Sequence, residues 1–505
     1  MRRIVFFILI ALSCVLPVTA SDTVNAPNLP ILGDSEREEL SPVMERKVGE
    51  EIMSEIRRDP DYFDDAPLLE YLNMLGGSLV DAKPEVRGEA HYEFSFFALR
   101  DPTLNAFALP GGFIAVHSGL VLAAQSESEL ASVMGHEIGH VAQRHIARML
   151  GQQKQDALIP LAALAMAVLA SRSSPNAAGA LVMGGEGLAI QRQLSFSRDA
   201  EREADRVGLQ IVSAAGYDTS GMVTFFGRMQ QTTRAYTEVP AFLQNHPMTT
   251  ERIADMQARI RSLPYKQHND SLDFQLIRAR LRVLQDDSTQ SLHDAAGFFN
   301  DQLEQNPRAQ FIPSKYGLAF IALKQREFDK AQTLLQEARV AARAAPLPAN
   351  APQPTYEAIL DSMEIELKLA AGHPAEAAKV AARAREKFPV SRGIALQYAD
   401  CLMAEGRNGD AVIYLRDQAQ LYRQEPQIQQ RLAKAYAAEG RQALQHMALA
   451  ESYALTGSLL PSLEQLSLAR KAPDVSFYDN SVIDAREREI KARWKDEEKD
   501  KKSQP

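Results

Sequence analysis

The sequence predicts a mainly α-helical protein with a small β-sheet, in which a mixed domain is followed by an α-solenoid of repeated helix pairs. Three observations support this fold class. Apolar residues recur at helical spacing through most of the chain. In segment 92–96 apolar and polar residues alternate, and segment 105–116 has two short apolar stretches around a Pro-Gly-Gly turn, as short strands do. From residue 271 onward the chain is rich in alanine, leucine and glutamine, with glycines at a regular interval.

Length and composition limit the class of protein. A chain of 505 residues is too long for one ordinary core, so we expect at least two domains. Its 45% hydrophobic and 24% charged residues are typical of a globular protein. The net charge of −9, without any long basic segment, argues against a nucleic-acid-binding surface.

The N-terminus has the features of a targeting segment. Arg2 and Arg3 precede an apolar segment over 4–16, and small residues at 18–20 would form a cleavage site. We therefore predict a signal peptide over 1–20 and an exported mature chain without a transmembrane helix. The alternative is an uncleaved anchor helix, although the apolar segment is shorter than the roughly 18 residues that span a membrane.

The first folded domain is predicted over 21–265 and opens with helical patterns. Segment 105–116 would then form two short strands around a Pro-Gly-Gly turn. Such a sheet edge could border a cleft, where an extended peptide would add to it through main-chain hydrogen bonds. The alternative is an internal hairpin whose two edges are both paired.

The central motif of this domain comprises His136, Glu137 and His140. These residues match the pattern H-E-x-x-H. Positions i and i+4 lie on one face of a helix, so the two imidazoles could bind a single metal ion. Glu137 would then flank the same cavity.

The segments on either side of the motif indicate where its helix begins and ends. Ser126 and Glu129 predict a capping box at the start, and Gly151 would end the helix. Segment 150–195 is predicted to form a lid or substrate flap beside the cleft, with a packed helical insertion as the alternative. Its apolar part, 157–170, is too short to span a membrane and suits a buried helix or one in peripheral membrane contact.

A catalytic zinc site needs three protein ligands and one open position. A third histidine at position 146 would complete a longer form of the motif, but that residue is isoleucine. The neighbouring His145 lies one position before the one that the motif requires, and we predict that it is a solvated helix residue. The helix predicted over 197–215 places Glu201 and Asp205 on one face. We expect Glu201 to be the third ligand and Asp205 to accept the Nδ1 proton of a ligating histidine. The alternative is an acidic, solvated face.

The chemistry expected of such a site is peptide hydrolysis. Glu137 would take a proton from the attacking water and pass it to the leaving amine. His246, in a short polar loop, could donate a hydrogen bond to the developing oxyanion. It could instead occupy the open metal position and hold the enzyme inactive. A third alternative is that His246 caps the helix that begins near Thr249.

The second half of the chain contains a repeat. Gly372, Gly406 and Gly440 follow one another at intervals of 34 residues, which is the period of tetratricopeptide repeats. We predict a tetratricopeptide-repeat domain over 266–475 with four to five units, whose concave surface would bind peptides or partner proteins. Residues 476–505 are predicted to be a charged C-terminal tail, of which 485–505 would fray.

Taken together, segments 105–120, 136–140, 197–205 and 246–247 resemble the M48 family of zinc metallopeptidases. An M48 domain behind a signal peptide and ahead of tetratricopeptide repeats is similar to family members of the Gram-negative periplasm. The resemblance implies a zincin-type fold, work on outer-membrane proteins, and partners in the β-barrel assembly machinery. It assigns one zinc ion to His136, His140 and Glu201, the catalytic carboxylate to Glu137, and a second carboxylate role to Asp205.

The resulting functional hypothesis is an exported zinc endopeptidase that degrades misfolded or misassembled outer-membrane proteins and assists their assembly. Its repeats would recruit the substrate or the assembly machinery. The competing hypothesis is a repeat-based chaperone in which the zinc site is repressed or silent.

Overall fold

The protein is described from a computed structural model. The residues that the structure describes are 41–88, 91–151, 196–235, 241–345 and 355–502. The predicted signal peptide and nearly all of the predicted lid lie outside the described residues. Within the described ranges, no helix combines the length and hydrophobicity that crossing a membrane requires.

The first half of the chain builds a small sheet among helices. Its three strands are β1 (Ser95–Leu99), β2 (Ala106–Leu109) and β3 (Phe113–His117). Its helices are α1 (Pro42–Ile56), α2 (Ala66–Ala82), α3 (Ser118–Ala123), α4 (Glu127–Ala142), α5 (His145–Gly151), α6 (Arg198–Ala214), α7 (Ser220–Ala235), α8 (Ala241–Asn245) and α9 (Thr250–Ile260).

The strand order is β1-β3-β2, with β3 parallel to β1 and antiparallel to β2. Gly111 and Gly112, both with positive φ, turn the chain between β2 and β3 as the Pro-Gly-Gly sequence predicts. The first strand was predicted over 92–96 and begins instead at Ser95. Tyr92 is held in the preceding turn, since its N–H donates to the Arg87 carbonyl at 3.0 Å and its hydroxyl donates to Glu45 at 2.7 Å.

Helix α4 forms the centre of this half and is buried along almost its whole length. The N-cap half of its capping box is confirmed, because Ser126 accepts a hydrogen bond from the Glu129 N–H at 3.2 Å. The reciprocal half differs, because the Glu129 carboxylate accepts from the Gln125 N–H at 2.7 Å. Helix α6 crosses α4 closely. A Cβ on Gly208 of α6 would lie 3.0 Å from the main-chain nitrogen of His136, and one on Gly139 of α4 would lie 2.9 Å from the Ala204 carbonyl oxygen. The glycines thus set how closely the two helices approach.

The prediction that Gly151 ends this helix is wrong. Helix α4 ends at Ala142, and the chain bends at Arg144, which has a φ of 50°, before α5 begins. A left-handed conformation is unfavourable for arginine and needs compensation. The guanidinium supplies it by donating from Nε to the buried carboxylate of Glu45 at 2.8 Å.

The second half is an α-solenoid of tetratricopeptide repeats, as predicted. Its helices are α10 (Leu272–Leu284), α11 (Thr289–Gln305), α12 (Pro307–Lys324), α13 (Phe328–Ala344), α14 (Tyr356–Ala370), α15 (Pro374–Lys387), α16 (Arg392–Ala404), α17 (Asn408–Leu421), α18 (Pro426–Ala438), α19 (Gln442–Leu455), α20 (Leu459–Lys471) and α21 (Phe477–Lys502). Gly372, Gly406 and Gly440 each have a φ between 71° and 80° at the turn inside a helix pair. Arg326 holds the same turn in an earlier pair with a φ of 63°.

The prediction that 485–505 frays is also wrong for most of that segment, because the helix Phe477–Lys502 continues through it. Ile483 and Ile490 lie seven residues apart, on one face, and both are fully buried in the last apolar cluster of the solenoid. Arg486 pairs with Glu451 through two hydrogen bonds of 2.8 Å. Because charged residues dominate this segment of the sequence, the few apolar residues that anchor the helix did not suggest a packed structure.

The solenoid packs directly on helix α2 of the first half. Glu70 of α2 accepts hydrogen bonds from the Gly393 N–H at 2.6 Å and from the Ser391 hydroxyl at 2.9 Å, at the start of α16. Arg280 of α10 is buried and pairs with Asp65, the N-cap residue of α2, at 2.8 Å. Two charged contacts therefore fix the repeats against the helix that supports the sheet.

Candidate metal centre

Helices α4 and α6 bring the predicted ligands together. His136 and His140 lie on one face of α4, and their Nε2 atoms are 3.0 Å apart. Glu201 on α6 places Oε2 3.5 Å from His136 Nε2 and Oε1 3.5 Å from His140 Nε2. All three side chains are buried. The carboxylate thus faces the two imidazoles, and the alternative of a solvated acidic face is wrong for Glu201.

His246 completes the cluster. It follows the short helix α8 and is 1% exposed, with Nδ1 3.0 Å from Glu201 Oε1 and 3.4 Å from His136 Nε2. One ligand atom from each of these four residues lies within 4.8 Å of the others. Thr249 caps α9 with its own hydroxyl, which accepts from the Arg252 N–H, so this cap does not need His246. Three imidazoles and a carboxylate form a donor set that suits a zinc ion.

The electrostatics of the cluster favour a cation. Burial lowers the pKa of His140 well below its usual value, and the neighbouring His136 lowers it further. Burial acts to raise the pKa of Glu201, but His246 and His136 hold it well below the usual range. Burial likewise opposes charge on His136, yet Asp205 and Glu201 raise its pKa to about 9. Without a metal ion, the two carboxylates favour a proton on this imidazole. A bound metal ion would supply the positive charge in place of that proton.

A second layer of polar residues surrounds the predicted ligands. Asp205 is buried, and its Oδ1 lies 3.1 Å from His136 Nδ1. Arg252 of α9 donates to both oxygens of Asp205, at 2.7 and 2.8 Å, and its Nη1 lies 2.7 Å from Glu201 Oε2. Burial acts to lower the pKa of Arg252, but the two carboxylates raise it, so the guanidinium stays charged. The role of Arg252 could not be predicted from the sequence, because a lone arginine in a polar segment gives no signal until α9 packs against α6.

Glu137 lies on the same helix as the histidines and is fully buried. Among the described residues, neither of its carboxylate oxygens accepts a well-formed hydrogen bond, although the Ala108 N–H lies close by. Burial raises the pKa of Glu137, while His246, whose Nε2 lies 3.5 Å from Oε1, acts to lower it. A buried carboxylate that accepts no well-formed hydrogen bond and lies beside a cluster of ligand atoms can accept a proton from a water in the site.

The prediction that His145 is a solvated helix residue is wrong. Its side chain is 1% exposed. Its Nδ1 lies 2.9 Å from His140 Nδ1, and its Nε2 lies 3.2 Å from Glu203 Oε2. The bend at Arg144, which the sequence pattern does not reveal, turns this residue back towards α4.

Strand β2 is an edge strand beside the site. Asn105 accepts a hydrogen bond from the His117 N–H at 3.0 Å, so by the alternation of antiparallel pairs Ala106 and Ala108 direct their main-chain groups away from β3. Within the described ranges, no strand pairs with this outer edge. The Ala108 N–H lies near enough to Glu137 to act against the rise of its pKa. Among the described residues, the outer edge of β2 is therefore unpaired by any strand and borders the cluster, as the sequence predicts.

Comparisons with known proteins agree with this arrangement. Residues 73–260 match the model of Peptidase family M48. A Vibrio cholerae serotype O1 protein, provisionally named a beta-barrel assembly-enhancing protease, is 36% identical over 66% of this chain and 67% of its own length. The Escherichia coli K12 protein named beta-barrel assembly-enhancing protease is 29% identical over 92% of this chain and 91% of its own.

A solved structure was also similar to part of the chain. It is described as YrrB, a TPR protein with an unusual peptide-binding site, and it is 16% identical with a TM-score of 0.28. The match covers 39% of this chain and 93% of that one. The family assignment depends instead on the M48 match and on the two relatives. The chain belongs to peptidase family M48 and is a metalloprotease.

Proposed function

We propose that this metalloprotease is a zinc endopeptidase exported to the periplasm, where it degrades misfolded or misassembled outer-membrane proteins and assists their assembly. The observation that carries the enzymatic part is the convergence of His136, His140 and Glu201 from two helices, with Glu137 beside them. The biological setting is supported by the names of the two relatives, both of which refer to β-barrel assembly.

The zinc ligands in this proposal are His136, His140 and Glu201. A bound zinc ion would polarise the scissile carbonyl and lower the pKa of a water in the site. Asp205 accepts the Nδ1 proton of His136 and so leaves its Nε2 free to bind the metal. Arg252 keeps the carboxylates of Asp205 and Glu201 ionised and in place.

Glu137 is the general base and acid in this proposal. Its carboxylate takes a proton from the attacking water and later gives it to the leaving amine. The raised pKa suits both steps, because the group holds a proton more readily than an exposed glutamate does. Burial also keeps bulk water away from the proton that is transferred.

His246 has two proposed roles. With Nε2 near Glu137, it could donate to the oxyanion of the tetrahedral intermediate. With Nδ1 among the four converging ligand atoms, it could instead fill the open metal position and hold the enzyme inactive. The Nδ1 contacts, which are the shorter ones, support the inhibitory role.

The substrate is proposed to bind as an added strand on β2. The outward N–H and C=O groups of Ala106 and Ala108 would pair with the main chain of an extended peptide. Main-chain pairing depends little on side-chain identity, so it suits unfolded proteins of varied sequence. The tetratricopeptide repeats are proposed to recruit such substrates or the β-barrel assembly machinery.

A second function, assembly chaperone, is supported by the position of His246, whose Nδ1 lies 3.0 Å from Glu201 and 3.4 Å from His136 and would close the metal position. In that case the repeats would bind client proteins as a chaperone does, while the peptidase activity stays repressed. Both functions can coexist in a protease that is normally closed.

The test combines metal analysis with an unfolded substrate. The purified mature protein should hold about one zinc ion per chain and cleave an unfolded β-rich substrate protein. The folded form of that substrate should resist cleavage. A chelator should abolish cleavage, and added zinc should restore it. Cleavage that persists fully in chelator, at zero bound zinc, would reject the proposed function.

A further inference from the structure

A second hydrogen-bonded chain leads away from the metal centre behind His140. His140 Nδ1 lies 2.9 Å from His145 Nδ1, and His145 Nε2 lies 3.2 Å from Glu203 Oε2. Arg148 donates to the same Glu203 oxygen at 2.8 Å. Both imidazoles are buried, whereas the side chain of Glu203 is 31% exposed. The chain therefore runs from the candidate ligand to the edge of the solvent.

The order of these contacts determines where the protons lie. The carboxylate of Glu203 can only accept, so it receives the N–H of His145 Nε2. A neutral imidazole carries one N–H, which leaves His145 Nδ1 as an acceptor. His140 must then donate from Nδ1, and its Nε2 lone pair faces His136 and Glu201. The contacts thus select the tautomer of His140 that can bind a metal through Nε2.

The backbone is bent in the way this contact needs. On an uninterrupted helix, a residue five positions after His140 would point about 140° away from it. Instead α4 ends at Ala142, and Arg144 adopts a left-handed conformation that returns His145 to the side of His140. The bend is held by the hydrogen bond from Arg144 to Glu45.

We infer that His145 and Glu203 are positioning residues that orient His140 and fix its tautomer for metal binding. This inference depends on the proposed function, in which His140 is a zinc ligand. It gives the two ligating histidines matched support, since Asp205 Oδ1 lies 3.1 Å from His136 Nδ1 and the His145–Glu203 pair accepts from His140. The outer partners of metal-binding histidines commonly change metal affinity by about 10- to 100-fold.

Three substitutions at one position separate positioning from packing. In His145→Asn, the amide oxygen can replace Nδ1 and still accept from His140. In His145→Gln, the longer amide reaches the Nε2 position and keeps Glu203 but loses His140. His145→Ala loses both contacts. Zinc affinity is measured on the full mature chain by competition with a chromophoric chelator, and the melting temperature in excess chelator shows that each variant folds.

The expected result is that His145→Asn binds zinc nearly as tightly as the parent, while His145→Gln and His145→Ala bind about 10- to 100-fold more weakly. Glu203→Gln should weaken binding less than His145→Ala does. Asp199→Asn, which removes a charge from the same helix at a side chain that is 93% exposed, should leave the affinity unchanged.

Two results would overturn the inference alone while the parent still binds zinc and cleaves substrate. One is equal zinc affinity in all three His145 variants and the parent. The other is a loss in His145→Asn as large as that in His145→Ala, which would show that the imidazole only fills space. A parent protein that binds no zinc would overturn the proposed function as well.

Discussion

The guanidinium of Arg252 holds the carboxylate of Asp205 in a bidentate pair, with Nε 2.8 Å from Oδ2 and Nη2 2.7 Å from Oδ1. Both side chains are about 2% exposed. Because Arg252 also reaches Glu201, one guanidinium neutralises two carboxylates at the candidate metal centre.

We predict that Arg252→Met destabilises the metal-free protein by about 3–5 kcal/mol, because two buried carboxylates lose their partner. Thermal unfolding in excess chelator measures this effect. Arg259→Met is the control on the same helix, since Arg259 forms an exposed pair with Asp255 whose loss should cost below about 1 kcal/mol. Equal melting temperatures for the two variants would contradict the prediction.

Glu137→Gln should separate catalysis from metal binding. Removing the general base should lower kcat by about 100- to 10,000-fold, since proton transfer contributes that much. Bound zinc should stay near the parent level, because Glu137 is not among the proposed ligands. His136→Arg is the comparison variant and should lose both zinc and cleavage. Normal cleavage of an unfolded substrate by Glu137→Gln would show that the catalytic assignment is wrong.

His246→Ala distinguishes the two proposed roles of this residue. A fall in kcat would support donation to the oxyanion, whereas a rise in basal activity would support a blocking ligand that has been removed. The shorter contacts of Nδ1 lead us to expect the rise. Peptidase rates at low and at saturating substrate concentrations should be measured together with the zinc content. If neither rate changes, both roles are excluded.

Ala108→Pro tests the substrate edge. The Ala108 N–H points away from β3, so proline can enter this edge strand without removing a ladder hydrogen bond. Losing one main-chain hydrogen bond to an extended substrate should raise KM by about two- to tenfold. The variant should also change kcat, because the Ala108 N–H acts on the pKa of Glu137. Ala108→Ser keeps the N–H and serves as the control. An unchanged KM in Ala108→Pro, with normal zinc content, would place the substrate elsewhere.

Asp273 makes the stability of the protein depend on pH. Burial in the interface between α10 and α14 raises the pKa of Asp273 from 3.8 to about 6. The folded state therefore binds this proton more tightly than the unfolded chain, and its stability falls as pH rises from about 4 to about 6. Asp273→Asn should remove that loss and stabilise the protein at pH 7 by about 1–3 kcal/mol.

Melting temperatures of Asp273→Asn and the parent should differ at pH 7 and converge near pH 4. The exposed Asp294→Asn is the control, and its effect should stay within about 0.5 kcal/mol at every pH. A difference that is the same at both pH values would show that Asp273 is not the titrating group.

The sequence predicted those features that a local pattern records. The spacing of His136 and His140, the carboxylates of α6 and the 34-residue glycine interval each depend on residues within one or two helices. Arg252 and His145 could not be assigned in this way. The first depends on the packing of α9 against α6, and the second depends on a bend that a distant glutamate, Glu45, stabilises.

The error at the C-terminus has a similar cause. Two isoleucines hold the last helix to the solenoid, but they are surrounded by charged residues that dominate the composition. Predicted domain boundaries, the signal peptide and the lid stay predictions.

The attachment of α16 to Glu70 of α2 has a consequence for how the protein can be handled in the laboratory. Cutting the chain near residue 265 would leave a carboxylate and an apolar helix face on one fragment, and a helix start without its acceptor on the other. Neither fragment would keep the full set of contacts that it has in the intact chain. In the proposed function, the repeats would therefore present a recruited protein at a fixed position relative to the candidate metal centre.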